Sequence, residues 1–249
     1  MNIDQVAVQL YTLRELTAQD MLGTLRQLAA IGYRAVELAG YGNSSPQDIR
    51  ATLDDVGVRA VAAHVSLQQL QQDPDTVLAD LHILGCDYLV VPWVSEEYRG
   101  SREQVLSLAQ QLNEWGRRVS AHGLRLGYHN HQFEFAPLDG STMWEILAAE
   151  TDPALVDLEL DVFWAVEGGF DPLDLLQRYG QRLSLLHLKD RSREPGGTDA
   201  PVGTGSLPWQ QILAAADTAG TKWYIVEQDH PGNPLDDVRR SFEQLRAWS

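Results

Sequence analysis

His64, His129, His131, His187 and His230, five of the chain's seven histidines, sit at or just after short apolar runs. So do Glu37, Glu134, Asp161, Glu227 and Asp229, and Glu159 lies inside such a run two residues before Asp161. A carboxylate within an apolar run is costly to bury unless it is paired or holds a cation, so Asp161 and Glu227 carry more information than surface acids. Oxygen and nitrogen donors without a thiolate suit one divalent ion: Mn²⁺, Mg²⁺, Co²⁺ or Zn²⁺. Such an ion chelates a carbonyl and a neighbouring hydroxyl, and stabilises the enediolate formed when a base removes the α-proton. Glu227, His131 or His129 could be that base. Lys189 lies two residues after His187 and shares its strand face, so it either contacts a substrate hydroxyl or the enediolate, or forms a structural ion pair. Glu159 shares the face of Asp161; it either supports a ligand or joins a buried ion-pair layer with an arginine, and the second is the preferred expectation. His82 and His122 fall on helical stretches and read as surface residues.

These groups need elements to bring them together. Eight near-continuous apolar runs occupy 6–10, 34–38, 58–63, 87–92, 124–130, 155–161, 183–189 and 223–228, as strands covered on both faces require. Amphipathic stretches lie between them; in 102–119, Val105, Leu108, Leu112, Trp115 and Val119 recur at helical spacing. Gly32, Gly57, Gly85, Gly123 and Gly220 mark helix ends, and Ser45-Pro46, Asp73-Pro74 and Asp171-Pro172 read as a cap followed by a first-turn proline. Eight strand–helix repeats predict an α/β protein, a single closed (β/α)8 barrel over residues 1–249, with eight helices. An open doubly wound sheet is the alternative, but no GxGxxG follows the first run. In a barrel the C-terminal strand ends converge on one mouth, which is where the acids and imidazoles fall. The longest irregular segment is 191–206; its Gly203-Thr204-Gly205-Ser206 is a weak phosphate signal.

The formal charge is −16, from 19 basic and 35 acidic residues, and only Lys189 and Lys222 are lysines. That balance disfavours nucleic acid and anionic membrane as partners. The single Cys86 excludes a disulfide framework and a CxxC-type zinc site. No apolar run reaches membrane-spanning length, and MNIDQVAVQL has no signal-peptide pattern, so a cytoplasmic location is expected. Trp248 hints at an interface between copies, as in a homo-oligomer.

VAVQLYTLR (6–14), YRAVEL (33–38), YHNHQFEF (128–135), LDVFWA (160–165), HLKD (187–190), PVGTGSLPW (201–209) and YIVEQD (224–229) together resemble the xylose-isomerase-like sugar phosphate isomerase/epimerase family, in order and over nearly the whole chain. YHNHxFEF and HLKD resemble the branch that acts on inososes, keto-sugars or 3-keto-glycosides. The resemblance implies one divalent metal held by residues of the last four strands, matching Asp161, His187 and Glu227. At the strand-five ligand the chain departs: the usual spacing lands on Tyr128, a poor ligand. His131 or Glu134 would substitute, with Glu134 preferred because a carboxylate keeps the site's charge. The resemblance further implies a small sugar or cyclitol substrate, with His64, His129, Trp93 and Glu159 as candidate contacts and Tyr11, Phe133 and Trp164 as stacking walls. The implied activity is a sugar isomerase or epimerase, with a dehydratase or lyase as the alternative. An endonuclease IV-like nuclease, disfavoured by the acidity, and a non-catalytic sugar-binding barrel are more distant.

Overall fold

The computed structural model describes residues 1–194 and 198–249; positions 195–197, inside the 191–206 loop, lie outside the described residues. Eight parallel strands form a closed barrel: β1 (Val6–Gln9), β2 (Ala35–Leu38), β3 (Arg59–His64), β4 (Tyr88–Val91), β5 (Arg125–His129), β6 (Val156–Asp161), β7 (Leu185–Leu188) and β8 (Trp223–Val226). Each strand pairs with its neighbours in sequence, and β8 closes on β1 with Val6 opposite Tyr224.

Ten helices, not eight, surround the described barrel: α1 (Arg14–Ile31), α2 (Pro46–Val56), α3 (Leu67–Gln72), α4 (Pro74–Leu84), α5 (Arg102–Ala121), α6 (Met143–Glu150), α7 (Val162–Glu167), α8 (Pro172–Tyr179), α9 (Trp209–Ala219) and α10 (Pro234–Trp248). The two extra helices come from the Asp-Pro pairs. Pro74 and Pro172 cannot continue a preceding helix, while Asp73 and Asp171 cap a new one by accepting from Thr76 N and Leu173 N. Connections that would each have held one helix therefore hold α3 with α4 and α7 with α8.

Along each strand the side chains alternate between two layers. Val8, Leu38, Tyr128, Leu160 and Leu188 enter the large apolar layer between strands and helices. Ala7, Ala35, Val61, Ala62, Tyr88, Val90, Leu185 and Ile225 form an apolar plug inside the barrel. One step towards the C-terminal ends the interior positions turn polar: Gln9, Glu37, His129, Glu159, Asp161 and His187, all buried. A bulge between β2 and β3 lets Glu37 pair with Ala62 rather than Val61. Both Val61 and Ala62 then face inward, and the reset parity brings His64 to the interior as well.

No described helix is long and apolar enough to cross a membrane. Trp248 is partly buried against the core.

Candidate metal centre

His129, Asp161, His187 and Glu227, from β5, β6, β7 and just past β8, each offer a ligand atom, and these atoms lie within 4.8 Å of one another. All four residues are buried. Asp161 caps α7: its Oδ1 accepts from Trp164 N at 3.0 Å, which fixes the rotamer. Its buried Oδ2 has Lys189 Nζ 3.0 Å away but no partner in hydrogen-bonding geometry. Five carboxylates, Glu37, Glu159, Asp161, Glu227 and Asp229, crowd around the one ammonium of Lys189 and three imidazoles. An excess of buried negative charge with an unfilled oxygen and mixed N/O donors is chemistry that a divalent cation fits.

Beneath these residues Glu159 acts as a shared acceptor. Its Oε2 lies 3.0 Å from His64 Nε2, 3.0 Å from His129 Nδ1 and 3.2 Å from His187 Nε2. Glu37 Oε2 lies 2.8 Å from His187 Nε2 and accepts from Gln9 Nε2 at 2.8 Å. His129 holds Glu159 through Nδ1, so its Nε2 is the nitrogen open to a ligand; both nitrogens of His187 meet carboxylates, Nε2 those of Glu37 and Glu159 and Nδ1 that of Glu227 at 2.9 Å. The expected arginine partner of Glu159 is absent from these contacts, and imidazoles fill that place.

Burial sets the protonation of the cluster, and neighbouring charges modify it. Burial pushes Asp161 up to about 6, with Lys189 partly offsetting it. Burial also opposes ionisation of Glu227, but Lys189 and His187 hold its carboxyl well below the usual range. Lys189 is fully buried, yet Asp161, Glu227 and Asp229 keep its ammonium more firmly protonated than in water. His131 is driven down to about 4 by burial and then by Lys189, so it is a neutral imidazole at pH 7.

Glu134 is not in the cluster, contrary to the expectation that it supplies the strand-five ligand. Its Oε1 accepts from Tyr128 OH at 2.9 Å and its Oε2 from His131 N at 2.7 Å, and it is fully buried. The reason is parity: Tyr128 points into the outer apolar layer and takes Glu134 with it, whereas His129, one residue on, points inward. Strict alternation from Gly127, which faces the interior opposite Val90, is the signal that identifies His129. His131 is likewise outside the ligand group; its ring lies 5.9 Å from Phe133 and 5.7 Å from Trp164, and its buried Nδ1 has no partner. His230 is mostly exposed beside Asp199, away from the cluster.

A cavity of about 540 Å³ opens above the cluster, and His64, His129, His131, Trp93, Glu227 and Asp229 are among the residues on its walls. Lys189 and Glu159 are fully buried below it. Lys189 forms the ion pairs described, and Trp164 lies 5.4 Å from its Nζ. The Gly203–Ser206 segment does not offer its amides to a phosphate. Asp190 occupies them, accepting from Gly203 N and Gly205 N at 2.9 Å and from Leu207 N at 3.1 Å. Glu37 and Asp229 stand out in the sequence as acids at strand ends, but their place in the cluster, Glu37 on His187 and Asp229 on Lys189, shows only once the strands close on one mouth.

Comparison with known proteins follows the same lines. Residues 25–248 match the family described as xylose isomerase-like TIM barrel. An inosose dehydratase of Geobacillus kaustophilus is 31% identical over 190 residues, 67% of this chain and 60% of that protein. The aligned part thus spans less than two thirds of that relative. An inosose dehydratase of Bacillus anthracis is 35% identical over 204 residues, 67% of each chain. A solved sugar phosphate isomerase/epimerase of Parabacteroides distasonis superposes with a TM-score of 0.84 at 26% identity, covering 99% of this chain and 95% of that one. The zinc-binding IolI protein shares the fold, with a TM-score of 0.74 at 17% identity over 98% and 97% of the two chains. Barrel, register and family model agree, and the chain belongs to the xylose isomerase-like TIM barrel family.

Proposed function

We propose that the protein removes the proton next to the carbonyl of an inosose or keto-sugar, with one divalent ion held by His129, Asp161, His187 and Glu227, and then expels a neighbouring hydroxyl as water. The observation that carries this reading is the four-residue donor set under an open cavity. When bound, the ion supplies Lewis acidity that draws charge onto a substrate carbonyl. His131 is the base placed for the proton: it is neutral, it lines the cavity, and its Nδ1 is unpartnered. Negative charge developing on the substrate strengthens that weak base as the proton moves. Lys189, anchored on Asp161, Glu227 and Asp229, keeps the two carboxylate ligands oriented. His131 then passes the proton to the departing hydroxyl, which leaves as water, and Asp229, on the cavity wall, accepts a hydrogen bond from it. His64, Trp93 and Tyr11 border the space for the ring.

Dehydration is preferred because the curated relatives at 31% and 35% identity are inosose dehydratases. The likeness to the Parabacteroides sugar phosphate isomerase/epimerase supports a second reading, in which the proton returns to the substrate and isomerises or epimerises it. Incubation of manganese-loaded protein with scyllo-inosose and 3-keto-glucose in deuterated water tests both. Deuterium incorporation with loss of water supports dehydration, incorporation into an isomer supports the second reading, and no incorporation in either substrate contradicts both.

A further inference from the structure

Strand β5 ends at His129, which pairs with Glu159, but β6 runs two residues further, to Asp161. On its other edge Asp161 pairs with His187 of β7. The last stretch of β6 therefore has no strand beside it on the β5 edge. Asp161 is fully buried, and a buried peptide group left unpaired is costly. Asn130 takes the vacant place. Its Oδ1 accepts from Asp161 N at 2.9 Å, and its Nδ2 donates to Asp161 O at 3.3 Å. The side-chain amide stands in for the missing rung of the ladder. Asparagine suits this place because its amide carries a donor and an acceptor, as a peptide does. Aspartate would accept twice, and alanine would do neither.

Asn130 is itself fully buried and is not among the side chains on the cavity wall. In the chain it lies between His129, a proposed ligand, and His131, the proposed base. The residues around it are tied as well. His129 Nδ1 lies 3.0 Å from Glu159 Oε2, His131 N donates to Glu134 Oε2 at 2.7 Å, and Gln132 Nε2 donates to Glu167 O at 2.8 Å. Among these ties Asn130 alone joins the ligand-and-base segment to the backbone of a second ligand. The His129 and His131 rings meet edge to face, with centroids 5.1 Å apart. A turn of the backbone at 130 would move both rings relative to Asp161, and a misplacement of about 1 Å can cost about 100-fold in rate.

We infer that Asn130 is a positioning residue: it holds the ligand atoms of His129 and Asp161 and the ring of His131 in one frame without touching substrate. The identities of ligand and base rest on the proposed function, and the frame rests on the two hydrogen bonds to Asp161.

Cobalt(II) is the probe, because its visible absorption reports the geometry of its donors. In cobalt-loaded Asn130→Ala that absorption should shift from the parent's, and cobalt affinity should fall by about 10-fold or more. The kcat for deuterium exchange into scyllo-inosose should fall by about 10–100-fold, with KM within about threefold of the parent's. Asn130→Asp keeps the acceptor for Asp161 N and loses the donor, so its spectrum and kcat should fall between the two; it also carries the test if N130A does not fold. A lowered Tm with the parent's spectrum and kcat in both variants overturns the role, leaving Asn130 as a brace of the fold alone. A loss in KM with kcat unchanged also overturns it, because that places Asn130 against substrate. A parent protein that binds no cobalt overturns the proposed metal centre and this role with it, whereas the first two results leave the parent's spectrum intact and count against Asn130 only.

Discussion

At the scale of single residues, the site depends on which carboxylate each imidazole nitrogen meets. Glu159 accepts from three imidazoles through one oxygen, so it positions His129 and His187 without needing to touch substrate. Exchange of Glu159 for Gln puts a donor where an acceptor is required. Divalent-ion affinity of E159Q, measured by competition with a chromophoric chelator, should fall by about 10–100-fold while the fold persists. Unchanged affinity would show that the tautomers are set elsewhere. Glu134 gives a second prediction. Burial raises its carboxyl to about 7, above its value in the unfolded chain. The stability it contributes is therefore full at low pH and is lost as pH rises through 7, by up to about 1.4 kcal/mol per pH unit. In E134Q a neutral amide meets the same two partners, so thermal unfolding should fall less between pH 5 and pH 8 than in the parent. A parallel loss in both would contradict the assignment.

Elements carry these residues to the mouth, and strand periodicity made most of that legible in advance. The eight apolar runs match the eight strands to within two residues at every end, because strands buried on both faces must be apolar almost throughout. Asp161, His187 and Glu227 could be named from the sequence because acids and imidazoles stand out in such runs. On strand five, family spacing points to Tyr128 and Glu134, whereas parity brings His129 into the proposed ligand group, because a one-residue slip exchanges the interior for the outer layer. His64 faces inward only through the β2–β3 bulge, which no residue pattern announced. The loop after β7 is a further case. GTGS reads as an anion cradle, but the anion is the chain's own Asp190. D190A strips the amides of Arg191, Gly203, Gly205 and Leu207 of their shared acceptor. It should cost about 2–4 kcal/mol in urea unfolding and expose residues 201–207 to proteolysis. A neutral effect on both would mean that the loop is held by other contacts.

For the whole molecule, the net charge of −16 has an internal counterpart in the carboxylates gathered inside the barrel mouth. Folding drives these acids together, and a bound dication offsets part of that cost, so metal should stabilise the entire barrel. With metal at about 100 times its dissociation constant, linkage gives about 2.7 kcal/mol. Chelation should then lower Tm by roughly 5–10 °C for a chain of this size. A Tm indifferent to chelator would place the ion, if any, outside the folded core. The polar mouth resting on an apolar plug also explains how the charges are tolerated: Ala7, Val61, Tyr88, Leu185 and Ile225 close the barrel below, so the acids have one open side. The most direct test of the central claim is the anomalous scattering of manganese in crystals of the metal-loaded protein. One peak enclosed by His129, Asp161, His187 and Glu227, and absent from crystals of H187A, is the predicted result. A peak at Glu134, or none within the barrel mouth, would contradict it.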